Sequence, residues 1–508
     1  MHRLTILVFV WAVSVVSAHD SLGSMFTHKA DVGDCAFKGE TVYDITADAY
    51  MVTGSGANIW TNVDAFHFAY KKVTGDVIFE ADVNFMGNRK THKKACLMLR
   101  ADLSADSAYA DAVFHGDGRI DLQYRPTKGA MTQFIMFPEK KWAAMRLSRN
   151  GTVFSLEITD DEGETYQPVG AVTVELPGEV YAGLAVSSHN NGFTRTAIFS
   201  KVKLEEIGTL SEEETTTEST LEIYDVETRQ RHIVYRTIGL YEAPNWTPDG
   251  KTLVVNKDGL GKMYAIPVDA PNPMPKQIDT GSAILCNNDH LISADGKTLF
   301  ISDHHEGKAS LIYTVPLSGG EPIRITDKGP SYLHGVSPDG KHVLYVARRK
   351  ENGDDNFHIY TKAIAGGLEI KLTDGKGIRD DGSEYSPDGK TIYYNSTQSG
   401  LMKIWRMNVD GSDPMQITHD EEYNDWFAHP SPDNKKIVFL SYDKSVLPHQ
   451  HPRNKEVCLR MMDIEGGKPK VIVQLFGGQG TINVPSWSPD SKKFAFVSYR
   501  MVSKERQD

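Results

Sequence analysis

A turn phrase recurs six times in the second half of the chain, as WTPDGK, ISADGK, VSPDGK, YSPDGK, PSPDNK and WSPDSK, with its aspartate at Asp249, Asp295, Asp339, Asp388, Asp433 and Asp490. Successive aspartates lie 46, 44, 49, 45 and 57 residues apart, the period of a four-stranded propeller blade. Each phrase is followed by a short apolar strand such as TLVVN, HVLYVA or KFAFVSY, and several copies add a third strand, as in SLIYTVPLSGG and KIWRMNVDGS. A repeat of this size cannot bury an apolar face alone and must stack on its neighbours, so the spacing predicts a six-bladed β-propeller over residues 221–508. The phrase TLEIYDVETRQRHIVY precedes the first copy. It is expected to pair with the chain end, closing the ring and leaving no open sheet edge.

The first half reads differently. Segments such as VIFEADVNFM, KACLMLRADL and RIDLQYR alternate apolar and polar residues between Gly, Asn and Asp turns, without long helical periodicity. They predict a β-sandwich over residues 25–207 and an all-β chain of two domains. Residues 208–220, GTLSEEETTTEST, have the composition of an exposed linker. The first eighteen residues, MHRLTILVFVWAVSVVSA, read as a signal peptide cleaved after Ala18, which implies an exported, periplasmic or extracellular protein. No later run of eighteen apolar residues predicts a transmembrane segment. Cys35, Cys96, Cys286 and Cys458 show no C-x-x-C pairing, so a structural zinc site is disfavoured, and both a Cys35–Cys96 bridge and free buried thiols fit. The net charge of -12, with no basic stripe among aromatics, excludes nucleic acid as a partner.

The strand entering each turn is the innermost of its blade, so residues four or five before the turn aspartate are expected at the central channel. Those positions hold Asn245, His290, His334, Glu384, His429 and Ser486, flanked by Glu242, Asp289, Asp425 and Trp426. Neutral imidazoles and a carboxylate from separate strands suit a divalent Mn, Zn or Ni ion, which makes His290, His334 and His429 the expected metal ligands. A water-filled polar pore, with each histidine bonded to a neighbour, is the alternative. Loops predicted on the same rim bring Arg348, Arg379, Asp381 and Arg453. Glu384, Arg379, Asp381 and Asp425 are the expected catalytic residues. Glu242, Asn245, Asp289, Trp426, Arg348 and Arg453 are expected to bind substrate. The insertion DKSVLPHQHPRNKE (443–456) is compatible with a lid, its His449 and His451 being read as solvent residues. No G-x-S-x-G elbow, P-loop or H-E-x-x-H occurs. In the first half Trp60, Arg100, Tyr124 and Arg125 could line a sugar face, with packing as the simpler reading.

The six turn phrases resemble those of TolB-like propellers with PD40 (WD40-like) repeats. The phrases NIWTNVDAFHFAYKKVTGDVIFEADV and GLAVSSHNNGFTRTAIFSKVKL resemble concanavalin A-like jelly rolls attached to secreted glycan-degrading proteins. The combination is also similar to propeller-type oligogalacturonate lyases, whose funnel histidines hold a divalent metal. What this resemblance implies is a carbohydrate-active enzyme, a polysaccharide lyase or glycoside hydrolase, acting on an oligo- or polysaccharide that could be anionic. By the same resemblance His290, His334 and His429 would be ligands with Glu384 assisting, and a further histidine or Arg379 would take the C5 proton of a uronate bound to the metal. A glycosidase variant would use Glu384 with Asp381, Asp425 or Glu242. The alternative is a non-catalytic glycan- or protein-binding scaffold in the cell envelope.

Overall fold

A computed structural model describes the chain except for residues 1–21, 24, 88–91, 138–143, 160–165, 209–214, 230, 271–272, 305–308, 352–353 and 505–508. The expected signal peptide therefore lies outside the described residues. All six turn phrases fold the same way. The hydroxyl two residues before the aspartate donates to its carboxylate at 2.6 to 2.7 Å. The same oxygen accepts a backbone N–H two residues on, as with Lys341 at 3.1 Å. The residue after the aspartate is left-handed, with φ of 68 to 70° at Gly250, Gly296, Gly340 and Gly389, which is why glycine fills four of the six copies.

These turns join the two inner strands of five four-stranded antiparallel sheets. Blades 1 to 5 begin with the inner strands Tyr241–Trp246, Cys286–Ile292, Ser331–Val336, Asp380–Tyr385 and Tyr423–Pro430. Blade 6 is assembled from both ends of the propeller. Thr215–Asp225 lies between Arg231–Ile238 and the last strand, Lys493–Ser503, in register from Thr215 against Ser503 to Asp225 against Lys493. Its innermost place is taken by the segment ending at Trp487, which bridges Phe494 while Ala495 N donates to Ser486 O at 2.8 Å.

The ring closure expected from the sequence is thus present, but the linker is shorter than expected. Thr215–Thr220 belong to the closing strand, where the partner's backbone groups hold them whatever their side chains, and threonine favours extended backbone.

Residues before this strand form two seven-stranded antiparallel sheets packed face to face around one core that includes Val52, Phe79, Leu97, Leu147, Leu184 and Phe199. Packing explains the polar candidates here. Arg100 and Arg125 are fully buried against Asp64, at 3.7 and 2.7 Å. Trp60 packs at a tilt against Phe134, ring centroids 5.4 Å apart, and the Tyr124 hydroxyl donates to Gln133 at 2.7 Å. All four cysteines are free thiols. No helix among the described residues is long and apolar enough to cross a membrane. The two halves meet at Glu157 of the sandwich, which pairs with Arg236 at 3.1 Å and Arg500 at 2.9 Å from blade 6, and with its own Arg146 at 3.5 Å.

Candidate functional site

A pocket of about 630 Å³ opens where the inner strands begin. Its level in the repeat is seven residues before the turn aspartate, the position of Glu242, Asn288, Tyr332, Asp381, Trp426 and Asn483. Of these Asn288, Tyr332, Asp381 and Asn483 line the pocket. A bulge separates this level from the residues four before the turn, with register shifts between Glu242 and Asn245, Asp381 and Glu384, and Trp426 and His429. The bulged residues Ala243, Gly382 and Phe427 have φ of 55 to 56°. At Gly382 a Cβ would come within 2.2 Å of the Asn395 carbonyl oxygen, so this bulge, which aims Asp381, requires glycine.

Asp289, His334 and Asp381 come from three adjacent blades. His334 Nε2 is 3.1 Å from Asp381 Oδ1, and its ring stacks on Phe427 with centroids 6.0 Å apart. Burial pulls the His334 pKa down, but the hydrogen bond to Asp381 and the charges of Asp289, Asp381 and Glu384 outweigh it and raise it above the usual imidazole value. Burial alone would raise Asp381, yet His334, Arg379 and His451 bring it down to about 2. Asp289 goes the other way. Burial, reinforced by the Asp381 charge, pushes it up to about 6 although His334 and the Asn287 amide, 2.6 Å away, oppose this. Two carboxylates around one histidine are driven apart, one staying ionised and the other able to hold a proton near neutrality.

The opposite wall is the insertion 443–456, which crosses from blade 5 toward blade 1. Pro452 O anchors it, accepting from the Tyr442 hydroxyl at 2.9 Å and from Gln479 N at 3.3 Å. Arg453 then reaches Glu242 at 3.0 Å. His451 stands edge-on to Trp426, centroids 4.4 Å apart, and its buried Nδ1 has no hydrogen-bond partner. Burial lowers its pKa, leaving the ring neutral at neutral pH. Arg379 lies over the Phe357 ring at 4.3 Å, its Nη2 3.9 Å from Asp381, and its Nε is also unpartnered. Both nitrogens are buried and unpartnered, so neither is in contact with the open space of the pocket.

Comparison with known proteins bears on the second half. The TolB β-propeller domain model matches residues 212–354 and 350–450. An uncharacterised protein of Agrobacterium fabrum is 49% identical over 281 residues, which is 55% of this chain and 92% of that protein. The chain belongs to the TolB β-propeller family. A solved structure of a candidate TolB from Agrobacterium tumefaciens is 47% identical, covers 56% of this chain and 99% of its own, and superposes with a TM-score of 0.53. An oligogalacturonate lyase from Vibrio parahaemolyticus covers 51% of this chain and 73% of its own at 15% identity and a TM-score of 0.34, a likeness that carries no argument about chemistry.

In this TolB-family funnel the expected three-histidine metal site does not fit. A metal-bound imidazole needs one nitrogen free for the ion while the other donates to an acceptor. His290 faces carbonyl oxygens on both sides, Asn288 O and Val254 O, each at 3.1 Å. Burial lowers its pKa to about 4. His429 faces Glu384 and Ile482 O, both at 2.6 Å. The register explains the error. His429 and Glu384 stand four residues before their turn aspartates, opposite Val438 and Tyr393, whereas His290 stands five before, opposite Ile301, and His334, also five before, falls in the bulge between Leu333 and Gly335. Among the described residues no three His, Cys, Asp or Glu side chains are placed to hold a metal ion.

Other expected residues are structural. Asp425 is fully buried in a cluster with Ser441 at 2.7 Å, Arg460 at 3.4 Å and Lys403 at 3.6 Å, outside the pocket lining. Asn245 ties three blades, donating to Pro485 O at 2.6 Å and accepting from Ile292 N at 2.9 Å. Trp426 is fully buried and supports His451 rather than facing a ligand. Glu384 is held by His429, and burial raises its pKa. Arg348 is exposed at the rim. The pocket therefore gathers His334, Asp381, Arg379, Asp289 and Arg453 from the expected set, with Glu242 behind Arg453. It adds His451, Tyr332 and Gln479, which sequence reasoning missed; the ring of positions seven before each turn aspartate would have found Tyr332.

Proposed function

We propose that this TolB-family chain is an exported, carbohydrate-active protein whose propeller funnel binds an oligosaccharide and processes it by acid–base chemistry without a three-histidine metal centre. The observation that supports this most is the pair Asp289 and Asp381 around His334, one carboxyl shifted up and the other down within a single pocket. That division is what an acid and an ionised partner require at one site. Tyr332, Asn288, Asn483 and the two arginines supply the polar groups that fix hydroxyls. Charged groups such as Arg379 also suit an acidic sugar. In this reading the sandwich is a concanavalin A-like module that carries the propeller.

The test is a panel of neutral and acidic oligosaccharides incubated with the mature chain and with Asp289→Asn and Asp381→Asn. Cleavage by the parent, lost by about 100-fold or more in either variant, supports an acid–base site. A second reading, a binding propeller without chemistry, is favoured by the number of funnel groups spent on interblade bonds, Asn245 and His429 among them. Saturable binding with no product from any sugar would establish it instead.

A further inference from the structure

We propose, resting on the reading of the funnel as an oligosaccharide site, that the saccharide it takes carries an oxyanion, a carboxylate, sulfate or phosphate, bound by the outer guanidinium edges of Arg453 and Arg379. An entering ligand meets the accessible part of the wall. The side chain of Arg453 is 41% exposed and that of Arg379 is 29% exposed, and both line the pocket. The carboxylates of the same wall are withdrawn and paired. Asp381 is buried against His334 at 3.1 Å, Asp289 is buried with the Asn287 amide at 2.6 Å, and Glu242 is fully buried behind Arg453. Among the described lining residues only Asp258 presents an exposed carboxylate.

Arg453 is fixed from one side. Its Nε donates to Glu242 at 3.0 Å, and its backbone is held by pairing with Gly478 and by Pro452, whose carbonyl accepts from Tyr442 and Gln479. Glycine clears the space around this pair. A Cβ at Gly480 would overlap Glu242 Oε1, and one at Gly259 would stand 3.0 Å from Arg453 Nη2. Among the described residues neither Nη1 nor Nη2 of Arg453 makes a hydrogen bond, so the outer edge of the fork stays open to the pocket. Arg379 is also held from behind. Its guanidinium lies over the Phe357 ring at 4.3 Å, its backbone N donates to the Thr397 hydroxyl at 2.9 Å, and Nη2 stands 3.9 Å from Asp381, beyond hydrogen-bond reach.

A guanidinium fixed in this way presents parallel N–H donors that match two oxygens of a carboxylate, sulfate or phosphate. A charged acceptor gains more from such donors than a sugar hydroxyl does. Because buried partners already order both side chains, less rotamer entropy is lost when the ligand arrives. The two arginines therefore select among oligosaccharides: an acidic one is bound more tightly than its neutral counterpart.

The experiment is isothermal titration calorimetry of the mature chain with three trisaccharides of one backbone: a uronate, its methyl ester, and a phosphorylated neutral form. The variants are Arg379→Gln and the double Glu242→Gln/Arg453→Gln, which removes the buried carboxylate together with its partner so that neither is left unpaired. The parent should bind the uronate or the phosphorylated sugar about tenfold or more tightly than the ester. Each variant should lose that preference while still binding the ester, which shows that it is folded. The acid that binds more tightly identifies the oxyanion. An ester bound by the parent as tightly as both acids, or a preference that survives in both variants, would overturn the oxyanion site and leave the saccharide reading in place. Failure of the parent to bind any of the three, or any neutral oligosaccharide, would overturn both.

Discussion

Asp381 Oδ1 lies 3.1 Å from His334 Nε2, between neighbouring blades and at the wall of the pocket that collects charged groups from blades 2 to 5. Asp381→Asn removes the partner that raises His334, so the His334 ring should titrate at lower pH, read by NMR of the histidine side chains. The sign for stability follows. His334, with its pKa raised, adds stability that is complete below the ordinary value of 6.5 and is lost as pH rises through the folded value. Asp381, lowered from 3.8 to about 2, adds stability that is present above 3.8 and is lost as pH falls through 2. The variant should lose most stability, relative to the parent, between these limits. A His334 titration that does not move would sink the assignment.

Asp289 gives the opposite sign. Its folded pKa of about 6 exceeds the ordinary 3.8, so the folded state favours the proton, and stability falls as pH rises from 3.8 through 6. Asp289→Asn never ionises. It should therefore be more stable than the parent at pH 8, by on the order of 3 kcal/mol, and no more stable at pH 4. Thermal unfolding at the two pH values checks this, and an equal effect at both would show that the carboxyl is not strained by burial.

Metal removal should do little. A site occupied at a hundred times its Kd stabilises the fold by about 2.7 kcal/mol, and neither His290 nor His429 has a nitrogen free to bind one. We expect a chelator, or added Mn, Zn or Ni, to leave the melting temperature unchanged. A rise that disappears in His290→Phe would overturn the structural role given to that ring.

What the sequence carried was the repeat and, through it, the propeller and the pairing of TLEIYDVETRQRHIVY with the chain end, because turn chemistry and period are local. It also carried His334, Asp381, Arg379, Asp289 and Arg453. It did not carry the bulge in each inner strand, since Ala243 and Phe427 are not residues that announce a positive φ. The bulge brings residues seven before the turn, such as Tyr332, to the pocket, while of the three histidines four or five before it His334 stays at the wall and His290 and His429 turn to carbonyl oxygens of neighbouring blades. His451 was hidden for another reason. A histidine in a long polar insertion looks the same whether it meets water or packs on Trp426, and only the tertiary path of the insertion decides.

Glu157 should hold the two halves together. It is buried among Arg146, Arg236 and Arg500, which outweigh the burial that would otherwise raise its pKa and keep it ionised. Glu157→Gln leaves the arginines of blade 6 leaning on Glu218 alone, with Arg500 to Glu218 at 3.0 Å. Removing one partner of a buried ion cluster costs about 3–5 kcal/mol. Urea unfolding should show that loss, together with separate transitions for sandwich and propeller where the parent shows one. A single unshifted transition would mean that the cluster does not couple them.

The last strand decides whether the ring exists. Lys493–Ser503 pairs with Thr215–Asp225 along its whole length and also receives the inner segment through Trp487 and Phe494. Its Ala495 and Val497 pack with Leu221, Ile223, Trp246 and Leu253, a cluster that joins blade 6 to blade 1. Val497→Ala trims a fully buried side chain at this seam and should cost about 2 kcal/mol by transfer and cavity terms. Ending the chain at residue 492 is more severe, since it removes a strand from the middle of blade 6 and leaves Thr215–Asp225 with one edge open. The sandwich has its own core and should survive, so limited proteolysis of the shortened chain should digest the propeller and leave a protected fragment near residues 25–207. A shortened chain whose propeller resists protease as the parent's does would show that the blades stack without being closed.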